Sequence, residues 1–233
     1  CELHERDAVA IWWYNRLSRP GIDLDALADP YVDELRRTYA RHQREVWVLD
    51  ISTDLAMPCC AAISRRDHEI EDVVFGFGAH PDPVLAVRAA LMEMDQPIPL
   101  VGGRDDHGAT RYATRDPAAL RWFQTATCRS EPWLRPRAGP PTVLPGALVD
   151  PTVPAWQVLD FYVEDLRRAG IEVVVVDQTR PDIDLHVVRV LAPGMRHFWR
   201  RTAPGRLFDV PVSLGWRPSP TQEQNLNPWS VFL

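Results

Sequence analysis

Two glutamates near the start of the chain have the spacing of paired metal ligands. Glu2 and Glu5 are three residues apart, so on a helix both carboxylates project from one face. Paired carboxylate oxygens suit Mg²⁺, especially Mg²⁺ that also holds nucleotide phosphates. On spacing alone a solvated acidic face at a helix end is the favoured interpretation, and the metal pair is the alternative.

Other polar clusters give weaker signals. Glu93 lies on a predicted helix that follows a glycine turn at 76–80, and the amides of that turn could meet an anion at the helix N-terminus. The run Asp105-Asp106-His107 has metal-binding residue types, but adjacent side chains rarely converge on one ion, so a polar loop is favoured. No string has the context of a Ser-His-Asp or Cys-His catalytic arrangement.

A basic group surrounds Phe198 and Trp199. Its members are Arg196, His197, Arg200 and Arg201. The pattern fits either a helix whose charges are solvated or an anion grip for a phosphate or a peptide carboxylate.

The composition limits the possible functions. The chain has 233 residues, of which 45% are hydrophobic and 25% charged, which is typical of a soluble globular protein with a substantial core. The net charge of −6 argues against a nucleic-acid partner. No apolar run approaches the roughly 20 residues that a membrane span needs. All 26 basic residues are arginine, so a bound phosphate must be held by arginine, backbone amides or a metal.

The cysteines indicate a reducing environment. The four cysteines contain no C-x-x-C pair, and Cys59 and Cys60 lie in an apolar, strand-like stretch. Buried, reduced thiols in a cytoplasmic protein are therefore the favoured interpretation.

Periodicity and turn residues predict a mixed α/β (α+β) fold with extended loops for residues 1–233, a length that allows one large domain or two small ones. Helices are predicted at 1–17, 30–45, 83–95, 117–126 and 156–169, and strands at 46–51, 59–63, 73–77, 171–177 and 185–191. The first helix is expected to be amphipathic and, because no N-cap residue precedes Glu2, to begin before the sequence does. Asp82 is expected to cap the helix that starts at Pro83.

Three segments receive particular expectations. The valine-rich run 171–176 is predicted to be a buried strand. The Pro- and Gly-rich region 97–154 is long for a structureless connection and is interpreted as an active-site loop, a partner surface or a flexible insert. Residues 217–233 form an extended C-terminal tail.

Four longer strings, in the same order along the chain, resemble the YcaO-domain family. They are C-E-L-H-E-R-D-A at 1–8, G-F-G-A-H at 76–80 with the helix to Gln96, V-V-D-Q-T-R-P-D at 175–182 with the strand and P-G that follow, and A-P-G-R-L-F-D-V-P-V-S-L-G-W at 203–216. The last string is similar to the closing segment of heterocyclase members. The resemblance implies the C-terminal part of a YcaO catalytic domain, truncated on its N-terminal side.

The resemblance also implies an activity and its ligands. Family members bind ATP through Mg²⁺ held by carboxylates, which assigns Glu2, Glu5 and Glu93 to metal and nucleotide, with Arg189 and Arg196 facing phosphate. The implied reaction is ATP-dependent cyclodehydration of Cys, Ser or Thr in a ribosomally made peptide to thiazoline or oxazoline, during biosynthesis of a bacteriocin-like product. An earlier ATP-contacting segment and a leader-peptide-binding region are absent, so the isolated chain is expected to be inactive.

The tail and the partners follow from the same resemblance. Azoline-forming members often end in a proline-rich tail that reaches the active site, which assigns Pro228 and Leu233 to catalysis, although Ser230 stands where a second proline is expected. The implied partners are a precursor peptide, a leader-peptide-binding protein and a second copy of the chain. Two alternatives stay open: thioamide or amidine formation, and a non-catalytic peptide-binding or assembly subunit.

Overall fold

A three-stranded antiparallel sheet lies at the centre of the fold. It consists of β1 (Arg44–Asp50), β2 (Cys59–Arg66) and β3 (Val74–Ala79), in the order β1-β2-β3. Every residue of β3 and the first six of β2 are buried, so helices and loops cover both faces of this part of the sheet. The computed structural model describes residues 1–144, 146–148, 150, 152–183 and 185–231.

Helices and two small ribbons surround the sheet. The helices are α1 (Glu2–Asn15), α2 (Pro30–Arg41), α3 (Pro83–Asp95), α4 (Ile98–Gly102), α5 (Pro117–Thr125), α6 (Ala155–Arg168) and α7 (Arg206–Ser213). The ribbons pair β4 (Gly103–Arg104) with β5 (Thr110–Arg111), and β6 (Val174–Asp177) with β7 (Val188–Leu191). This mixed architecture confirms the predicted fold class. No helix in the described part of the chain is long and apolar enough to span a membrane.

Helix α1 is enclosed rather than amphipathic. Every residue from Asp7 to Asn15 is buried, and Trp12 and Trp13 are almost completely inaccessible to solvent. A helix that is apolar on all sides belongs in the interior of a protein. The expectation of an amphipathic first helix was therefore wrong, because the start of α7 covers the opposite face, where Arg206 contacts Asp7 and Leu207 contacts Asn15.

Helix α3 lies directly against β3. Its N-cap is the predicted one, since the Asp82 carboxylate accepts a hydrogen bond of 2.9 Å from the amide of Val84. Gly76 and Gly78 lie within β3 and do not form the predicted turn. A Cβ at Gly76 would stand 2.1 Å from the nitrogen of Met94, and one at Gly78 would stand 2.4 Å from the oxygen of Ala86. The glycines therefore permit close helix–strand contact and are not an anion-binding loop.

Part of the 97–154 region belongs to the core. Trp122 is fully buried and Trp133 is 4% exposed. The ring of Trp133 packs edge-on against Trp12 and Trp13, with centroid distances of 4.8 and 5.2 Å. Residues 117–134 are thus a structural layer against α1, which excludes a flexible insert for that stretch.

Two predicted elements differ from the structure. Helix α2 ends at Arg41, and Arg44 and Glu45 belong to β1 instead of the helix. Strands β6 and β7 are exposed at every residue, with Val175 exposed to 59% and Val188 to 58%. The prediction of a buried strand was wrong because an apolar run reports β-propensity, whereas burial depends on what packs against the strand.

We expect Gly76→Ala to destabilise the chain by about 3 kcal/mol, because the added methyl group would meet backbone atoms of α3 that cannot rotate away. Urea unfolding followed by circular dichroism measures the loss. Gly102→Ala is the matched control, since a Cβ there meets nothing within 4 Å and should change stability by no more than about 0.5 kcal/mol. Equal midpoints for the two variants would contradict the close contact.

Candidate functional site

Two carboxylates from distant parts of the sequence meet at strand β3. The first turns of α1 and the C-terminal half of α3 both pack against this strand. Glu5 and Glu93 are half-buried there, and each accepts a hydrogen bond from the β3 backbone, Glu5 at Ala79 and Glu93 at Phe77. The 87 intervening residues are therefore folded so that the two carboxylates lie at the same strand.

Burial and neighbouring negative charge dominate the electrostatics of this pair, and Arg6 opposes them at Glu5. Burial, together with a smaller contribution from the charge of Glu5, raises the pKa of Glu93 to about 7, although the Phe77 hydrogen bond opposes both effects. Burial also raises the pKa of Glu5, with a second contribution from the charge of Glu2. Each carboxylate thus makes ionisation of its neighbour less favourable.

Glu2 lies on the exposed side of this cluster. Its carboxylate forms an ion pair with Arg6 one turn further along α1. Arg6 also lies 2.9 Å from Nε2 of His197 and stacks over the ring of Phe198 at 5.3 Å. The predicted Glu2–Glu5 pair is therefore present, with one member already neutralised by arginine.

The residues fit a magnesium ion that is held chiefly by phosphates. No three His, Cys, Asp or Glu side chains within the described residues are arranged to hold a metal by themselves. Mg²⁺ commonly takes only one or two protein carboxylates and completes its shell with water and substrate phosphates. Two half-buried carboxylates that repel each other suit such a cation, because its charge would remove the repulsion.

A buried ion pair fixes α1 relative to the C-terminal part of the chain. Asp7 is completely buried, and Arg206 at the start of α7 donates to both of its oxygens at 2.7–3.1 Å. The same guanidinium reaches Asp54 at 2.7 and 2.9 Å. This ion pair was not predicted from the sequence, although an aspartate inside the apolar stretch of α1 is a signal for a buried partner.

The two predicted phosphate-binding arginines occupy different positions. Arg196 lies beside α1, where its amide donates to Asp7 at 2.7 Å. Its guanidinium donates to the carbonyls of Ala203 and Pro204, and its Nε has no hydrogen-bond partner among the residues described. Arg189 lies on exposed β7, and no contact described here joins it to Glu5 or Glu93. Their assignment to phosphate stays a prediction.

Segment 196–201 is irregular, so the helical interpretation of the basic group was wrong. His197 instead contacts α1 through Arg6, and Trp199 is 57% exposed beside it. The group therefore lies next to the Glu2 end of α1.

The C-terminal tail is anchored to the opposite half of α1. The Asn227 amide donates to the Tyr14 carbonyl at 2.8 Å, and Nε1 of Trp13 donates to the Trp229 carbonyl at 2.7 Å. Pro228 is exposed between these anchors. Trp13 lies eight positions after Glu5 on the helix, which is about 12 Å along the axis. Leu233 lies outside the described residues, and the catalytic assignment of Pro228 and Leu233 stays a prediction.

Two further sequence candidates have structural roles. Asp105 accepts hydrogen bonds from the amides of His107 and Ala109, so it closes a turn as a polar loop residue. Cys59 and Cys60 are buried and unpaired, and burial raises the pKa of both thiols well above its ordinary value. This confirms the prediction of buried free thiols and makes both cysteines poor nucleophiles.

The chain matches one family and several solved structures. The profile of the YcaO cyclodehydratases, described as ATP- and Mg²⁺-binding, matches residues 1–196. A heterocyclase solved in complex with substrate and cofactor is 39% identical, with a TM-score of 0.89 over 98% of this chain and 30% of that one. The heterocyclase TruD is also 39% identical, with a TM-score of 0.83 over 99% of this chain and 31% of its own.

The similarity covers only part of each relative. An uncharacterised protein from the tfuA 3′ region of Rhizobium leguminosarum bv. trifolii is 30% identical over 84% of this chain and 48% of its own length. The chain therefore spans about half of that relative and less than a third of the solved heterocyclases. YcaO from Methanopyrus kandleri, solved with AMPPCP and Mg²⁺, is 24% identical with a TM-score of 0.58 and shows a shared fold.

The raised pKa of Glu93 predicts a pH dependence of stability in the absence of metal. Since the folded chain holds the proton up to about pH 7 and an unperturbed glutamate releases it near 4.5, the stabilising contribution is complete below 4.5 and is lost as pH rises to 7. We expect Glu93→Gln to flatten that slope in urea unfolding with EDTA present. Glu69→Gln, an exposed charge-matched control, should keep the slope of the unaltered chain. An unchanged slope in Glu93→Gln would show that Glu93 is not the titrating group.

Proposed function

The chain belongs to the YcaO family, and from that premise we propose that it supplies the C-terminal part of an ATP- and Mg²⁺-dependent peptide cyclodehydratase. The observation that carries the proposal is the meeting of Glu5 and Glu93 on β3 in a chain that resembles a solved heterocyclase over 98% of its length. The proposed substrate is a ribosomally made precursor peptide of a bacteriocin-like pathway, modified at Cys, Ser or Thr. The proposed setting is the cytoplasm, with a leader-peptide-binding partner.

The proposed reaction removes one water from the peptide for each ring. The Cys, Ser or Thr side chain attacks the preceding backbone carbonyl and forms a tetrahedral adduct, whose oxygen is a poor leaving group. Mg-ATP, when bound, supplies a phosphoryl group, so that this oxygen leaves as phosphate and ATP becomes ADP. The net change is loss of water from the peptide and hydrolysis of one ATP, and the product is a thiazoline or oxazoline.

The residues of this chain act by positioning and by balancing charge. Glu5 and Glu93 would hold Mg²⁺ at β3, with Glu2 at the exposed side of the site. Arg196, whose amide donates to Asp7 of α1, is one of the two arginines proposed to meet phosphate oxygens, and its Nε has no hydrogen-bond partner among the described residues. Aligned positive groups are effective where charge develops on a transferring phosphoryl group.

We expect Glu5→Gln and Glu93→Gln each to weaken Mg²⁺-dependent ATP binding at least tenfold, about 1.4 kcal/mol, because each removes one of two carboxylates facing the cation. Calorimetric titration of ATP into the gene product that contains this chain measures the effect. Glu69→Gln should bind as the unaltered protein does. Unchanged affinity in a folded Glu93→Gln variant would reject the metal assignment.

Peptide mass tests the reaction itself. The gene product containing this chain, mixed with the precursor peptide and Mg-ATP, should remove one water per modified Cys, Ser or Thr, and the isolated 233-residue chain should not. A mass change corresponding to exchange of oxygen for sulfur would identify thioamide chemistry instead. Bound ATP with no change in mass would favour a peptide-binding subunit.

A further inference from the structure

Arginines gather at the end of the central sheet that is remote from Glu5. Arg44 at the start of β1 is in register with Arg66 at the end of β2. Glu5 lies at Ala79, which pairs with Cys59 at the other end of β2. Arg66 lies seven positions after Cys59 on this strand, which is about 23 Å. The arginine cluster is therefore separate from the proposed magnesium site.

A cavity of about 440 Å³ opens at this end of the sheet. Its wall combines the end of α2, the start of β1, the end of β2, α4 and β4. Four arginines line it: Arg41, Arg44, Arg66 and Arg104. Their convergence from four separate elements gives the cavity a basic wall in a chain whose net charge is negative.

The carboxylates around the cavity do not balance these charges. Arg66 donates to Asp72 at 3.2 Å, and Arg104 lies 3.9 Å from the same oxygen. Among the residues that the structure describes, Arg44 bonds only to uncharged groups: the hydroxyl and carbonyl of Ser64 and the carbonyl of Asp72, at 2.7–3.2 Å. Arg41 is paired separately, with Glu34. Three guanidinium groups therefore share one carboxylate, which leaves an excess of two positive charges.

Two donors of the cluster are buried without a hydrogen-bond partner. Arg44 is 6% exposed, and its Nη1 has no partner among the described residues; the same is true of Nη2 of Arg104. Burial lowers the pKa of Arg44 to about 10, with a second contribution from Arg66, so the guanidinium is still charged at neutral pH. A buried charged donor without an acceptor is destabilising, and a bound anion would remove that cost.

We propose that this cavity is a second ligand site, which binds a small molecule through a phosphate or diphosphate group. The two excess positive charges match a dianion, and guanidinium forks match the oxygens of a phosphate. A carboxylate offers only two oxygens to three converging guanidinium groups. The site is independent of the proposed cyclodehydratase chemistry, because it shares no residue with the Glu5–Glu93 pair.

The test is calorimetric titration of the chain with inorganic diphosphate and with inorganic phosphate, in EDTA so that no Mg-nucleotide site can form. We expect saturable binding that weakens as salt is raised. Arg104→Gln removes a half-buried guanidinium at the rim and should weaken diphosphate binding at least tenfold. Arg168→Gln, the same change on exposed α6, should bind as the unaltered chain does.

A second variant and two comparisons complete the test. Arg44→Met replaces the buried arginine by an unbranched side chain without charge and should abolish binding; if it does not fold, Arg104→Gln decides. Glu93→Gln should leave diphosphate binding unchanged, which separates failure of this site from failure of the proposed function. Tighter binding of ADP than of diphosphate would identify a nucleotide as the source of the phosphate group, and the reverse order a free phosphate. Absence of diphosphate binding, or full affinity in folded Arg104→Gln, would overturn the proposal.

Discussion

The approach of α3 to β3 is the constraint on which the candidate site depends. The helix lies so close to the strand that a single methyl group at Gly76 would overlap its backbone, at the nitrogen of Met94 and the carbonyl carbon of Glu93. Because Glu93 is itself part of this contact, its carboxylate has little freedom to move away from Glu5. Backbone packing at two glycines thus holds together two charges that repel each other. A site that pre-organises such repulsion is suited to a cation.

The burial of α1 is the second feature that positions the candidate site. A helix buried on every side cannot leave a charge unpaired, and Arg206 meets this requirement by holding both oxygens of Asp7. The same arginine contacts Asp54 in the loop between β1 and β2, so one side chain connects the first helix, the sheet and the C-terminal segment. Asn227 and Trp229 hold the other half of α1. The carboxylates of the first turn are therefore presented from a rigid element.

Arginine takes every role that lysine or arginine could fill in this molecule, because the sequence contains no lysine. Its planar fork can meet two acceptors at once, and it keeps its charge when buried. The Arg206 guanidinium binds two carboxylates. In the described part of the chain, the Arg44 guanidinium bonds only to uncharged oxygens, and its Nη1 has no partner. The same residue type thus completes the core in one place and leaves unmet hydrogen-bonding capacity in another.

The sequence by itself determined the features that depend on residues adjacent in the chain and on the strings that the chain shares with its relatives. Asp82 followed by Pro83 fixed the start of α3, and the spacing of Glu2 and Glu5 put both on one helical face. Only the tertiary structure decided which faces are covered. Residues 7–15 of α1 are buried on all sides, the valines of β6 are exposed, and the glycines expected in a loop lie in strand β3. It also assembled the arginine cavity from residues between 41 and 104. Local patterns report the preferences of a few adjacent residues, whereas burial and convergence of charge depend on packing between elements far apart in the chain.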